Sequence, residues 1–588
     1  MFMTYETALE RAKEWTQNRY YSLEARNEIQ VLIDRDDRKE ILDRFYCDLE
    51  FGTGGLRSLI AMGTNRMNVY NVRRATQALS DTVKKEFPDA KELRVAVSYD
   101  SRKFSLEFAR EVCSVLAGNG IHAHIFSQLA PVPLLSYAVR TLKAHAGVMI
   151  TASHNPKEYN GYKAYWSDGA QVTPPYDEKI IHAYENLKDW SKVRHIPFEK
   201  IEGKFIHWIS PVVEQAYFSM LLEYLVNPTL CRNSGGDLKV IYTPIHGSGN
   251  YWCTEILKKA GFMDVAVVEE QKNPDSSFPT ANPPNPENPK ALALAVKLMK
   301  HTNADIALAT DPDADRLGVA LLHKDEVVYL NGNQIGSLLT HYILSGLSEQ
   351  KRLPPHPLLI KTIVTSELQA LIARDYGCKV ENTLTGFKWI GRRILEIEQK
   401  HETLDFIFGD EESYGFLSHP NVRDKDAVNA TLMTAEMALH YKKLGMTLMD
   451  ALNSLYLKYG YFHEEQLSLN YEGVEGVKKI ENIMQWFRSY RNADILGKKI
   501  TSISDYEKSI VTSADNKKTP IDLPKSNVIA FAFDCGSSLV ARPSGTEPKI
   551  KFYIMLRDTT GDLETRKRHS RFKSDEFKNF IRKTVEAL

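Results

Sequence analysis

Apolar and polar positions follow one repeating order along this chain. A short apolar run, a polar loop, a stretch of helical periodicity, a glycine and another short apolar run occur three times over. In the first copy Leu93-Arg-Val-Ala-Val97 predicts a strand and Tyr99-Asp-Ser-Arg102 a loop. Residues 105–117 predict a helix stopped by Gly118-Asn-Gly120, and residues 121–126 the next strand. The second copy has strands at 238–242 and 264–268 around a helix at 251–260 that Gly261 ends. The third has a strand at 358–364, Ser366-Glu367 opening a helix to about residue 376, Gly377, and a strand at Lys379-Val380. Three such units predict three related α/β domains, whose ligand loops gather at the carboxyl ends of strands. After residue 459 alternating strands and a terminal helix over 574–587 predict a smaller C-terminal α+β domain. The first ~40 residues predict amphipathic helix packed on the first domain. The Pro-rich stretch 273–289 predicts an ordered loop inside the second unit.

Length and composition narrow the class. A chain of 588 residues needs several cores. The division expected is 1–205 (N-terminal helix and first domain), 206–330 (second), 331–458 (third) and 459–588 (fourth). Lys+Arg and Asp+Glu both number 75, so no basic excess points to nucleic acid or to an anionic membrane. The N-terminal stretch is charge-rich without a signal-peptide core, and no apolar run approaches the ~20 residues that span a bilayer. Six scattered cysteines, without close pairs, fit a reduced cytoplasmic protein rather than a disulfide or zinc framework.

Four motifs carry candidate chemistry. The apolar run Ala146-Gly-Val-Met-Ile150 leads into Thr151-Ala-Ser153-His154-Asn155-Pro156, which holds a serine on a tight loop at a strand end. Asp311, Asp313 and Asp315 alternate at spacing two. In an extended loop their carboxylates converge, and three hard oxygens suit Mg²⁺. An EF-hand is excluded, because Arg316 and Leu322 stand where its glycine and glutamate are required. Arg542-Pro-Ser544-Gly545-Thr546 offers a guanidinium, hydroxyls and backbone N–H groups for a phosphate, or makes a plain turn. Gly409-Asp-Glu411-Glu412-Ser413 suits either a grip on sugar hydroxyls or an acid-rich helix N-terminus. Arg57, Lys163 and Lys388 read more readily as surface charges than as site groups. His154 reads as a proton shuttle or as a turn residue. A serine, a hard cation, a sugar and a phosphate together point to phosphoryl transfer.

These motifs, in this order over most of the chain, resemble the α-D-phosphohexomutase superfamily. Thr243-Pro-Ile-His-Gly247, Asn273-Pro-Asp275, Phe278-Pro279 and Glu547-Pro-Lys-Ile-Lys-Phe552 resemble its long phosphoglucomutase and phosphoglucomutase-2-like branch. The resemblance implies three similar mixed α/β domains and a smaller C-terminal α+β domain around a central cleft. It implies that Ser153 carries the phosphoryl group and that Asp311, Asp313 and Asp315, with Ser153, bind one Mg²⁺ per chain. Glu411 and Ser413 would hold sugar hydroxyls. Arg542, Ser544, Gly545, Thr546 and Arg316 would hold phosphate. Arg57, His154, Lys163 and Lys388 would serve catalysis, the two lysines in proton transfer. Ser58 departs from the glycine that often follows the matching arginine, and so stiffens that loop. The implied reaction interconverts glucose 1-phosphate and glucose 6-phosphate, with a sugar 1,6-bisphosphate as activator. Phosphomannomutase and phosphopentomutase are the alternatives, and the chain would be a monomer or a dimer.

Overall fold

The protein is described by a computed structural model covering residues 4–52, 54–201, 203–471, 473–544 and 549–588. It divides into two compact units. One comprises the residues up to Leu330 with Phe387–Ile407 and Tyr414–His440. The other comprises Asn331–Gly386, Phe408–Ser413 and Tyr441–Leu588.

In the first unit a six-stranded sheet runs in the order Gly55–Leu59, Tyr159–Trp166, Ala146–Ile150, Arg94–Tyr99, His122–Ile125 and Ile206–Trp208. Its first two pairings are antiparallel and the rest parallel. A five-stranded sheet repeats the pattern with Glu326–Leu330, Leu317–His323, Ile306–Thr310, Val240–Thr243 and Val265–Val267. The parallel strands are covered by helices on their faces, so they read as continuous apolar runs rather than alternating ones. Ala146–Ile150 and Ile306–Thr310 are buried at every position. The helices expected after the first strands are Ser105–Gly118 and Gly249–Ala260, the latter ended by Gly261 in the left-handed region at φ 110°. The residues between Val267 and Ala293 form neither helix nor strand, as their prolines predict.

The N-terminal segment is not one helix. It forms three, Tyr5–Gln17, Leu23–Asp34 and Arg38–Phe45, because Ser22 and Asp37 each cap a new start. Their apolar stripes bury Trp15, stacked on Tyr21 with ring centroids 3.7 Å apart.

In the second unit Pro357–Thr362 pairs in parallel with Lys379–Thr383, and Ser366 caps the intervening helix Glu367–Asp375. A C-terminal antiparallel sheet runs Tyr461–Asn470, Lys549–Asp558, Ser538–Pro543, Ile529–Phe533, Lys498–Asp505, Ile510–Ser513 and Lys518–Pro520. Helices Gly473–Ser489 and Leu563–Glu586 pack on it around Phe487, Phe531, Phe552 and Phe577. The last helix starts at Leu563, capped by Asp562, earlier than its apolar stripe suggests, because its first turns are charged. No helix among the described residues is long and apolar enough to cross a membrane.

Candidate active site

Strand Ala146–Ile150 delivers the serine loop and strand Ile306–Thr310 the aspartate loop, each from a carboxyl end. Ser153 is buried and sits at φ 51°, a left-handed conformation that costs a residue with a Cβ. Thr151 Oγ1 accepts from the Ser153 N–H at 2.8 Å and donates to Asp100 Oδ2 at 2.6 Å. Gly161 lies against the loop, where a Cβ would come 2.5 Å from Thr151 O and 2.7 Å from Leu56 O. Ser153 Oγ donates to Asp311 Oδ2 at 2.7 Å, and His154 Nδ1 lies 3.3 Å from the same hydroxyl. Burial, followed by the charges of Arg316 and Arg57, holds the His154 imidazole well below its ordinary pKa.

Asp311, Asp313 and Asp315 are buried, with carboxylate oxygens within 4.8 Å of one another. They converge for a different reason from the one spacing suggests. The loop is a turn rather than extended chain, with Ala314 at φ 46°. Asp311 Oδ1 accepts from the N–H groups of Asp315 and Arg316, both at 3.1 Å, which draws the turn tight. Gly247 presses on it from the loop after Val240–Thr243, since a Cβ there would lie 2.5 Å from Pro312 Cα. Ser248 reinforces this contact by donating through N and Oγ to Pro312 O, at 2.9 and 2.8 Å.

Lys163 Nζ reaches Asp313 Oδ2 at 2.7 Å and Asp315 Oδ2 at 3.2 Å. Burial disfavours its charge, but the two carboxylates outweigh burial and raise its pKa. Asp311 is pushed well up by burial and then by its two like-charged neighbours. Asp315 is pushed up by burial too, but Lys163, Lys425 and Arg316 together bring it below the usual range. Asp313 Oδ1 and Asp315 Oδ1 are buried and accept no hydrogen bond from any described residue. Two carboxylate oxygens free of hydrogen bonds, that of Asp315 4.0 Å from Arg316 Nε, beside an Asp311 oxygen that already faces Ser153, are a donor set suited to a hard divalent cation. The residues fit Mg²⁺.

Around this core, Arg57 Nη1 donates to Asn155 Oδ1 at 3.0 Å from strand Gly55–Leu59. Ser58 Oγ donates to Asn65 O at 3.1 Å. Arg316 pairs with Glu287. Lys388 begins the helix Lys388–Gln399 with Nζ 3.6 Å from Asp177, and burial lowers its pKa against the pull of that carboxylate.

Sequence reasoning missed Lys425 and Arg102. Lys425 Nζ lies 3.3 Å from Asp315 Oδ2 and 3.0 Å from Asp424 Oδ1. Its only signal was the charge run Arg423-Asp-Lys-Asp426. By sequence Arg102 belongs to a polar loop. Its buried guanidinium instead donates to the carbonyls of Ser153, Asn155, Pro156 and Tyr159, at 2.5, 2.5, 2.9 and 3.1 Å.

The second unit holds the remaining groups. Asp405–Glu411 ends on Glu411, whose Oε1 accepts from the Gly386 N–H at 2.8 Å, and Ser413 follows half-buried. Burial, with Glu411 beside it, pushes Glu412 up to about 7. Arg542 is half-buried on Ser538–Pro543, opposite Lys551 of the neighbouring strand, and the Ser544 N–H donates to Lys549 O at 2.7 Å. Two conjugate cations opposite each other suit a polyanion. Gly545 and Thr546 lie outside the described residues.

Comparison with known proteins bears on this arrangement. Residues 48–190, 215–324 and 331–459 match the descriptions "Phosphoglucomutase/phosphomannomutase, alpha/beta/alpha domain" I, II and III in turn. A phosphoglucomutase of Staphylococcus aureus (strain MRSA252) is 38% identical over 517 residues, covering 87% of this chain and 90% of that protein. Among solved structures, a phosphoglucomutase/phosphomannomutase family protein from Burkholderia thailandensis superposes with a TM-score of 0.62 at 17% identity. It covers 91% of this chain and 97% of its own. The exocytosis-sensitive phosphoprotein parafusin, a phosphoglucomutase from Paramecium, gives 0.63 at 18% identity over 89% and 93%. These two share the fold.

Proposed function

The chain belongs to the phosphoglucomutase/phosphomannomutase family and is a mutase of the isomerase class, and we propose that it interconverts glucose 1-phosphate and glucose 6-phosphate through a phosphoserine at residue 153. The observation that carries this reading is the 2.7 Å bond from Ser153 Oγ to Asp311, at three buried carboxylates two of whose oxygens make no hydrogen bond to a described residue. The glucose preference rests on likeness to the Staphylococcus aureus phosphoglucomutase. We divide the chain into domains 1–205, 206–330, 331–458 and 459–588, and assign it to the cytoplasm.

In the forward half-reaction the Ser153 Oγ–P bond breaks as a bond forms from phosphorus to the free sugar hydroxyl. The hydroxyl proton passes to a basic group of this chain, for which His154 and Lys388, both with lowered pKa, are the candidates, while Lys163 stays an ammonium between two carboxylates. The sugar bisphosphate then reverses, and its other phosphoryl group returns to Ser153. Both transfers are in-line, so catalysis is mostly positioning and charge neutralisation. A Mg²⁺ held by Asp311, Asp313, Asp315 and Ser153 would offset charge on the phosphoryl oxygens. Lys163, paired with Asp313 and Asp315, places a positive charge against those carboxylates. Arg57 and Arg316 add positive charge at the serine end. Glu411 and Ser413 grip sugar hydroxyls, while Arg542, Ser544, Gly545 and Thr546 hold the phosphate that is not reacting. A bisphosphate that escapes before reversing leaves Ser153 dephosphorylated, so glucose 1,6-bisphosphate acts as activator.

The test is a coupled assay with glucose, mannose, ribose and N-acetylglucosamine 1-phosphates side by side. Glucose 1-phosphate should give the highest kcat/KM. A higher value for the mannose or the ribose ester would replace glucose with that sugar.

A further inference from the structure

We propose that Arg102, backed by Phe278, is a positioning residue that fixes the attitude of the Ser153 loop for phosphoryl transfer. This rests on Ser153 being the phosphoryl carrier.

The serine loop turns several carbonyls towards Arg102, with Ser153 buried and Asn155, Pro156 and Tyr159 half-buried. Each needs a donor, because an unpaired buried carbonyl is costly. Arg102 supplies donors to four of them from one side chain, and Pro156 O accepts in addition from the Tyr159 N–H at 3.0 Å. Its Nη1 serves Pro156 and Tyr159, and its Nη2 serves Ser153 and Asn155. The guanidinium is held from behind by Asp100, with Nε 3.4 Å from Oδ2 and both side chains fully buried. Asp100 also accepts from Thr151 and from Ser105 Oγ, the latter at 2.7 Å. Arg102 thus ties the loop at both ends, through carbonyls after the serine and through the threonine before it.

Phe278 completes the clamp. Its ring centroid lies 5.2 Å from Arg102 Cζ, and it is wholly buried with φ at 43°. It comes from the Pro-rich stretch between Val267 and Ala293, which also contributes Asn282 Oδ1 to the Lys157 N–H at 3.4 Å. That gives the irregular stretch a purpose. It seats a ring on the cation that sets the serine loop, and the contact survives only where the ring is aromatic.

The geometry matters because Ser153 is in a left-handed conformation that nothing in its own loop sequence favours. The peptide carbonyl of Ser153 is a direct Arg102 acceptor, so the guanidinium holds the ψ of this residue and with it the direction of the Cα–Cβ bond that carries Oγ, while the bond to Asp311 sets Oγ itself. A misplacement of ~1 Å at an in-line transfer costs ~10²-fold in rate. Lysine retains the charge against Asp100 but offers a point of donors rather than a planar fork, and cannot span the same carbonyls.

Steady-state kinetics of Arg102→Lys and Phe278→Leu test this, with the labelled phosphoryl uptake of each variant and of Ser153→Ala from glucose 1,6-bisphosphate. In Arg102→Lys, kcat should fall ~10²-fold with KM for glucose 1-phosphate changed less than about threefold, and Ser153 should still label fully but slowly. In Phe278→Leu, kcat should fall by roughly 2–30-fold at constant KM. Wild-type kcat in a folded Arg102→Lys would overturn the proposal. Should Arg102→Lys fail to fold, Phe278→Leu decides alone, and wild-type kcat there is equally fatal. If Ser153→Ala itself labels and turns over, the failure lies with the phosphoserine reading and not with Arg102.

Discussion

At the scale of single residues, the candidate site works by leaving some carboxylate oxygens committed and others not. Asp311 is committed to the loop backbone and to Ser153, and Asp313 and Asp315 each give one oxygen to lysine. The oxygens left over on Asp313 and Asp315 are where the proposed cation would bind. Asp313→Asn should therefore lower kcat by ~10²-fold and weaken Mn²⁺ binding, measured by titration calorimetry on the same preparation. Equal Mn²⁺ affinity in that variant would place the cation elsewhere. A different residue sets a pH dependence. Asp410 is fully buried, its Oδ2 accepts from Gln369 at 2.7 Å, and its Oδ1 has no partner among the described residues. Burial pushes its pKa up to about 8. Glu464, bonded to Ser366, is pushed up to about 7 in the same way. An acid whose folded pKa lies above its unfolded value holds more protons folded than unfolded between the two. Stability is then full below the unfolded pKa of ~4 and is lost as pH rises towards the folded value. Asp410→Asn should flatten the fall of Tm between about pH 5 and pH 8. A slope unchanged from wild type would show that Asp410 does not titrate in that range.

At the scale of elements, the strands that carry the loops were legible and the supports of the loops were not. Ala146–Ile150 is recoverable to the residue because a strand buried on both faces must be apolar throughout. The helix beginning at Lys388 and the stops at Gly261 and Gly377 follow from local rules of the same kind. The Asp311, Asp313 and Asp315 cluster was legible as a set, but not the turn that gathers it, since Ala314 gives no sign of a left-handed φ. Arg102 and Asp100 were invisible as supports because their partners lie about fifty residues downstream, and sequence spacing carries no record of that distance. Lys425 is farther still from Asp315. Gly161 shows how such support can be tested. Its missing Cβ lets Thr151 O and Leu56 O approach, so Gly161→Ala should cost ~1–3 kcal/mol and lower kcat with it. Thermal melts and initial rates measure both, and an unaltered Tm would mean the loop is not packed as tightly as these distances say.

At the scale of the whole molecule, the candidate groups are divided between the two units. Ser153, the aspartates, Lys163 and Lys388 belong to the first, and Glu411, Ser413 and Arg542 to the second. Ser153, the aspartates and Glu411 lie at strand ends, Lys163 lies inside Tyr159–Trp166 and Lys388 opens a helix, while Gly545 and Thr546 lie outside the described residues. A two-transfer reaction has a consequence for the protein in bulk. Phosphatase-treated protein should be nearly inactive on glucose 1-phosphate alone and recover on addition of glucose 1,6-bisphosphate, followed in the coupled assay. Full activity without bisphosphate would contradict a carrier that must be charged. The central claim is that Ser153 is that carrier, and peptide mapping after incubation with phosphorus-labelled glucose 1,6-bisphosphate tests it most directly. The account predicts one phosphoryl group, on Ser153, that is discharged by glucose 6-phosphate and absent from an otherwise folded, inactive Ser153→Ala. Label on another residue, or turnover in Ser153→Ala within about tenfold of wild type, would contradict it.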